Sequence, residues 1–218
     1  MSSSRHPTPQ ASNLYRLQDG VTIKTMRQRL RQALSQRQKQ HILDASRVPS
    51  AVLLLIYYKQ GQHYILFTKR TEHVKEHKGD ISFPGGAYQD EDRTLANTAL
   101  RECSEEIGLI ADRVEILGEL DDTTTRNSGY IISPFVAIIP WPYPLEADRQ
   151  ETEEIIEAPI SALMDKDCQH RKTEIVDGKA DTAYFYHYQG RVIWGATARI
   201  LNQFLDIFAR VMGDKTGE

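Results

Sequence analysis

The chain has 218 residues, 40% hydrophobic and 26% charged, with 27 Lys and Arg set against 30 Asp and Glu. That length suits one domain with extensions, or at most two small ones, and it is enough to bury a core without covalent staples. The formal net charge of −3 argues against non-specific nucleic-acid binding, and two cysteines, Cys103 and Cys168, exclude a disulfide scaffold or a cysteine-only metal cage.

Met1–Asn13 is polar, contains Ser and Pro, and lacks an apolar h-region, so residues 1–21 are expected to be a disordered tail without a secretory signal. Thr22–Ala45 spaces Ile23, Met26, Leu30 and Leu34 among many Arg and Gln, which predicts one amphipathic helix (segment 22–46) ahead of a main domain at 47–218. Its long polar face suits the surface of the domain or a partner subunit, which offers a route to a homodimer. Ala51–Tyr58 is a continuous apolar run, as in a buried central strand, and Tyr64–Lys69 follows after a Gly-containing turn as its hairpin partner. Neither that run nor Tyr130–Pro140, the other long apolar stretch, approaches the roughly 20 residues needed to cross a bilayer. A soluble, reduced, cytoplasmic protein that meets neither membrane nor nucleic acid is expected.

Lys69–Asp80 is basic and carries no pattern. Ile81-Ser82-Phe83 and the break Pro84-Gly85-Gly86 come next. Thr94–Ile107 reads as a helix stopped by Gly108. Val114–Leu120, Tyr130–Ile139 and Glu153–Ala158 are predicted strands, as are Arg171–Val176, Ala183–Tyr188 and Arg191–Trp194. Gly195–Val211 closes the chain as a helix, with Ile200, Leu201, Phe204, Leu205 and Phe208 on one side. Irregular interleaving of strands and helices, with no repeat, predicts one mixed α/β domain.

The helix Thr94–Ile107 contains a conflict. Ala96, Ala99, Leu100, Cys103 and Ile107 form a core-facing stripe, and Glu102, Glu105 and Glu106 share the adjacent arc. At spacings of three and four, like charges destabilise a helix by roughly 0.2–0.5 kcal/mol per pair. The acids also sit in the last turns, where the helix dipole is already negative. Arg101 relieves part of this repulsion, and an ordinary solvated acidic face would look the same. A divalent cation would reverse the local electrostatics, since clustered carboxylates suit hard, oxygen-loving metals such as Mg²⁺ or Mn²⁺. Upstream, Pro84-Gly85-Gly86 supplies backbone without side chains that a metal or phosphate can approach closely.

These residues resemble a known family. Arg101-Glu102-Cys103-Ser104-Glu105-Glu106-Ile107-Gly108-Leu109 matches the back half of the Nudix box at every position. In the front half, strict counting puts Ala87 at the box glycine and Arg93 at its glutamate. A shift of one restores Gly86 and offers Asp92, with one extra residue before Arg101. The resemblance implies a Nudix-type α/β/α sandwich around a mixed central sheet and a metal-dependent pyrophosphohydrolase. Glu102 and Glu106 would be its metal ligands, and Glu105 a third ligand or the base. The Gly86 carbonyl would complete the metal shell, and Arg101 stands among the catalytic residues of the box. The general base varies in this family, so Glu151 and Glu154 are alternatives.

A second motif narrows the substrate. Leu66-Phe67-Thr68-Lys69-Arg70, followed by Lys75, Gly79 and Phe83-Pro84-Gly85-Gly86, is similar to the signature of the coenzyme A pyrophosphatase branch, with Lys75 in place of an Arg. The likeness continues in Ser128-Gly129-Tyr130, Glu153–Leu163 and Ile193-Trp194-Gly195-Ala196-Thr197-Ala198. It implies hydrolysis of coenzyme A or an acyl derivative to 4′-phosphopantetheine and adenosine 3′,5′-bisphosphate. Lys69, Arg70, Lys75 and His77 would hold the phosphates, with Gly85 and Gly86 beside them. The alternatives are a Nudix hydrolase acting on NADH, ADP-ribose, a nucleotide sugar or a nucleoside triphosphate, and a catalytically silent nucleotide-binding module. Cys103 reads as a core residue, and Cys168-x-His170 lacks companions for zinc. Trp194 and Phe204 also read as core. Trp141-Pro142-Tyr143-Pro144 reads as a stiff turn, with a pocket wall as the alternative.

Overall fold

Ser50–Tyr57 is buried at every residue, and this continuous apolar run makes Val48–Lys59 (β1) the axis of the fold. Side chains alternate across a strand, so each face of β1 meets a different layer. Val52, Leu54 and Ile56 pack with Met26, Leu30 and Leu34 of the helix 24–35 (α1), and with Phe204 and Phe208 of Gly195–Gly213 (α4). Ala51, Leu53, Leu55 and Tyr57 pack with Ala99, Cys103 and Ile107 of Leu95–Ile107 (α2). The result is a three-layer α/β/α sandwich. The computed structural model describes residues 24–72, 79–176 and 178–213; the expected tail, Lys75, His77 and Lys78 lie outside them.

The central sheet is mixed. One edge of β1 runs parallel to Tyr130–Ile138 (β7), in register from Val48↔Tyr130 to Ile56↔Ile138. The other edge is shared, antiparallel, by Gln62–Arg70 (β2) and Gly85–Ala87 (β4). Thr152–Pro159 (β8) and Ile81–Ser82 (β3) pair with β2, while Glu115–Glu119 (β5) and Thr123–Thr124 (β6) pair with β7. A short helix, Ile160–Leu163 (α3), leads to a separate antiparallel sheet of Gln169–Val176 (β9), Lys179–Tyr188 (β10) and Arg191–Ile193 (β11).

Two local readings change. The helix expected to run through Thr22–Ala45 ends at residue 35 in the described chain. Beyond it the backbone is captured elsewhere: Gln40 and Ile42 N–H groups donate to the carboxylates of Asp121 and Asp122, and the Gln40 carbonyl accepts from Asp122 N–H. Arg37 and Lys39 pair with the same two aspartates. Acceptors that hold backbone donors in place leave none for further helical turns. The helix that does form is bound into the core, with Leu30 fully buried. Pro84-Gly85-Gly86 is not simply a bend, because Gly85–Ala87 is the short strand β4 laid along Val52–Ser50.

His63 on β2 carries a measurable consequence. It is 8% exposed, lies edge-on to Tyr58 and Phe208, and its Nε2 has no hydrogen-bond partner among the described residues. Burial pushes its pKa down to about 4. The folded chain therefore keeps His63 neutral while the unfolded chain protonates it below about 6.5, so stability is complete above that value and is lost as pH falls toward 4. Urea unfolding of wild type should lose about 2 kcal/mol more than His63→Leu between pH 7.5 and pH 5. Parallel pH dependence in the two proteins would refute this.

Candidate active site

α2 begins where Thr94 accepts the Asn97 N–H, and it ends at Gly108, whose φ of 68° and ψ of 28° make the left-handed cap. These stops fix the rotation of α2. Its apolar stripe faces β1, and the adjacent arc, with Glu102 and Glu106, faces β4. Cys103 is fully buried and burial pushes its thiol up, in keeping with a core role.

Arg101 resolves the self-repulsion of this helix. Its guanidinium contacts Glu102 at 2.8 Å and Glu105 at 3.2 Å, and it donates to the Ala87 carbonyl. Its Nε lies 2.7 Å from Asp92 Oδ1. Asp92 also accepts from the Gln89 N–H and the Thr98 hydroxyl, and the Arg101 hydrogen bond pulls its pKa down to about 2. Of the two ways to count the front half of the box, the shifted one, with Asp92 facing Arg101, agrees with this geometry. The extra residue is absorbed by a 3₁₀ turn at Asp90–Asp92 and by Arg93 at φ 63°.

Glu102 and Glu106 line a cleft of about 640 Å³. Glu106 is buried, with one oxygen 3.3 Å from the Gly85 N–H and the other 3.9 Å from Arg70 Nη1. Burial outweighs both contacts and pushes its carboxyl up to about 8. Glu102 is raised for the same reason. Glu105 does not join them: its side chain is 60% exposed and turns toward Arg101. Two further carboxylates line the cleft, Asp80 and Glu151, and it is the charge of Glu151 that acts on both Glu102 and Glu106. Glu154 is held outside by Arg191 at 2.6 Å.

Strand alternation separates the two described cations of the basic loop. Arg70 lines the cleft, whereas Lys69 pairs with Glu153 at 2.8 Å away from it. Lys69 is thus not placed against a ligand in the cleft, contrary to the sequence reading. Trp194 also departs from its reading. Ile193 is buried, but Trp194 lies just beyond the end of β11, is 49% exposed and lines the cleft. Trp141 stays out of the cleft, stacked on Tyr57 at 4.4 Å with Lys59 over its face. Sequence reasoning passed over Arg126 and Arg199, which also line the cleft. They lie 25 and 98 residues beyond Arg101, outside every recognised motif, and only the sheet pairing and the seat of α4 bring them in.

Among the described residues no three His, Cys, Asp or Glu side chains close around a single point. The acidic wall nevertheless fits a hard cation on its own chemistry. Glu102 and Glu106 are one turn apart, largely withdrawn from water and alike in charge. The bare backbone of Gly86 lies against Glu102, where an added Cβ would stand 2.4 Å from the carboxylate. Oxygen-only donors with backbone access are the set that Mg²⁺ and Mn²⁺ prefer.

Residues 47–177 match the NUDIX domain, and the chain belongs to the Nudix hydrolases, enzymes that cleave phosphorus-containing anhydrides, generally with divalent metal ions. It is 34% identical over 154 residues to the uncharacterized Nudix hydrolase NudL of Photorhabdus laumondii, covering 71% of this chain and 81% of that protein. To the NudL of Yersinia pestis it is 31% identical over 161 residues, 74% of this chain and 80% of the relative. A MutT/nudix family protein from Enterococcus faecalis shares the fold, at a TM-score of 0.51 and 15% identity over 96% of this chain and 81% of that one. No helix among the described residues is long and apolar enough to cross a membrane.

Proposed function

We propose that this Nudix hydrolase cleaves the pyrophosphate of coenzyme A or an acyl-coenzyme A in the cytoplasm, with Mg²⁺ or Mn²⁺, giving 4′-phosphopantetheine and adenosine 3′,5′-bisphosphate. One observation carries this reading. Of the stretches that resemble the coenzyme A branch, those around Arg70 and Phe83–Gly86, at Ser128 and Tyr130, and at Trp194–Thr197 border the cleft that Glu102 and Glu106 line, while Glu153–Leu163 does not. Their meeting at the cleft that holds the acidic helix face supports a common ligand for them.

Glu102 and Glu106, with the Gly86 carbonyl beside them, would hold the metal. When bound, the metal neutralises charge on the phosphoryl oxygens and makes water a stronger nucleophile at neutral pH. Glu151 is assigned as the base that takes the water's proton, because it faces the cleft while Glu105 points to solvent and Glu154 is paired outside. Arg70 grips a phosphate oxygen with its fork. Lys75 and His77 are proposed to add charge from the adjoining segment. Arg101 touches neither substrate nor metal in this scheme; it holds Asp92, Glu102 and the Ala87 carbonyl in one arrangement and so positions the acidic face.

Incubation with Mg²⁺ or Mn²⁺ and coenzyme A, NADH, ADP-ribose and nucleoside triphosphates, with products weighed by mass spectrometry, tests the reading. Coenzyme A should be preferred and split into the two named products. Preference for any other substrate overturns the coenzyme A assignment, and no cleavage with either metal favours a nucleotide-binding module.

A further inference from the structure

Glu102 and Glu106 reach the cleft from α2, which packs on one face of the central sheet. Arg126, Arg199 and Trp194 line it as well, Arg199 from α4 on the other face of the sheet. Arg126 is neutralised, paired with Glu174 and, at 3.1 Å, with Asp181. It thereby ties β9 and β10 to the loop after β6. Arg199 is different. Its guanidinium donates to the Thr124 carbonyl and makes no close ion pair among the described residues; the Asp181 carboxylate acts on it only from a distance and is itself paired with Arg126.

Arg199 is more than half withdrawn from water and lies near the positive charge of Arg126, so its own pKa is drawn down, burial being the larger cause. A cation held this way costs stability unless an anion reaches it. Trp194, which immediately precedes α4, is 49% exposed and lines the same cleft. A planar guanidinium suits a phosphate monoester, which it grips bidentately, and an indole face suits a nucleobase. The cleft is also roomy enough, at about 640 Å³, for a ligand of cofactor size rather than a bare pyrophosphate.

We propose that Arg199 and Trp194 form a distal subsite that selects substrates carrying a second phosphate, a monoester on a nucleoside, remote from the anhydride that is cut. This deepens the coenzyme A reading and rests on the cleft being the hydrolase's substrate site. Arg199 is a specificity residue. It binds the remote phosphate and leaves the reacting atoms alone.

Calorimetry with adenosine 3′,5′-bisphosphate and AMP reads the subsite without turnover, on wild type, Arg199→Gln, Arg199→Lys and Trp194→Ala. Wild type should bind the bisphosphate at least about 10-fold more tightly than AMP. R199Q should abolish that difference, R199K should restore part of it, and W194A should weaken both nucleotides. In kinetics, R199Q should raise KM for coenzyme A about 10-fold or more, with kcat within about 3-fold and dephospho-coenzyme A unaffected. Equal affinity of wild type for the two nucleotides overturns the proposal, as does an R199Q protein that melts like wild type and still discriminates between them. If R199Q melts early, R199K decides by the same comparison. Should wild type hydrolyse nothing, the hydrolase assignment of the cleft fails, and the binding measurements still decide the subsite.

Discussion

Glu106→Gln is expected to lower turnover by at least about 10²-fold while leaving the unfolding temperature unchanged or raised. The two halves of this expectation come from different physics. The side chain is 7% exposed and nearly isosteric with Gln, and the Gly85 N–H keeps an oxygen acceptor. Removing a carboxylate that burial already disfavours takes away a cost, so the fold should not suffer. For catalysis the charge itself is required. Changing groups that merely orient metal ligands costs about 10–100-fold in affinity or activity, so loss of a ligand should exceed that. Steady-state kinetics in Mg²⁺ and a thermal melt of the same preparation check both halves. Near-normal turnover would remove Glu106 from the metal site. Lost turnover with a collapsed melting temperature would show that the carboxylate is a structural group.

Local pattern made much of this fold legible. The apolar run of β1, the apolar stripe of α2, the Gly108 cap and the closing helix α4 follow from residue order, because each depends on neighbours within a turn or a strand length. Glu102 and Glu106 were legible for a related reason: three like charges on one helix face oppose stability and ask for a counter-charge. That counter-charge is partly Arg101, a residue of the same helix. Choosing between Glu105 and Glu151 was beyond local pattern. The rotation of α2 sends Glu105 outward, and the segment leading into β8 brings Glu151 to the cleft from 45 residues away. Arg126 and Arg199 were hidden for the same reason. Their placement depends on the parallel pairing of β1 with β7 and on the seat of α4, neither of which leaves a trace in nearby residues. Lys69 and Arg70 show how fine the decision can be, since one step along β2 separates an external ion pair from a cleft contact.

Gly85 and Gly86 are adjacent, yet their alanine substitutions should fail in different ways. At Gly85 a Cβ would stand 2.2 Å from the Ala51 carbonyl oxygen and 2.6 Å from the Val52 Cα, and φ is 149°. Both obstacles are backbone of the central strand, in register with β4 and fixed by β7 behind it. The clash can be relieved only by moving β4 off β1, which breaks ladder hydrogen bonds and opens the core above Val52. Overpacking typically costs about 1–3 kcal/mol and backbone strain about 1–3 kcal/mol more. Gly85→Ala should therefore lose roughly 3 kcal/mol or more in urea unfolding. At Gly86 the nearest atoms to a Cβ belong to the Glu102 carboxyl, 2.4 Å away, and φ falls outside the left-handed region. A side-chain end swings aside at little cost, so Gly86→Ala should stay within about 1 kcal/mol of wild type. It should do so with Glu102 displaced from the cleft and turnover reduced about 10-fold or more. Measuring urea midpoints and kcat on the pair separates a glycine that lets two strands meet from one that lets a carboxylate reach its place. Equal stability losses in the two variants would contradict this division.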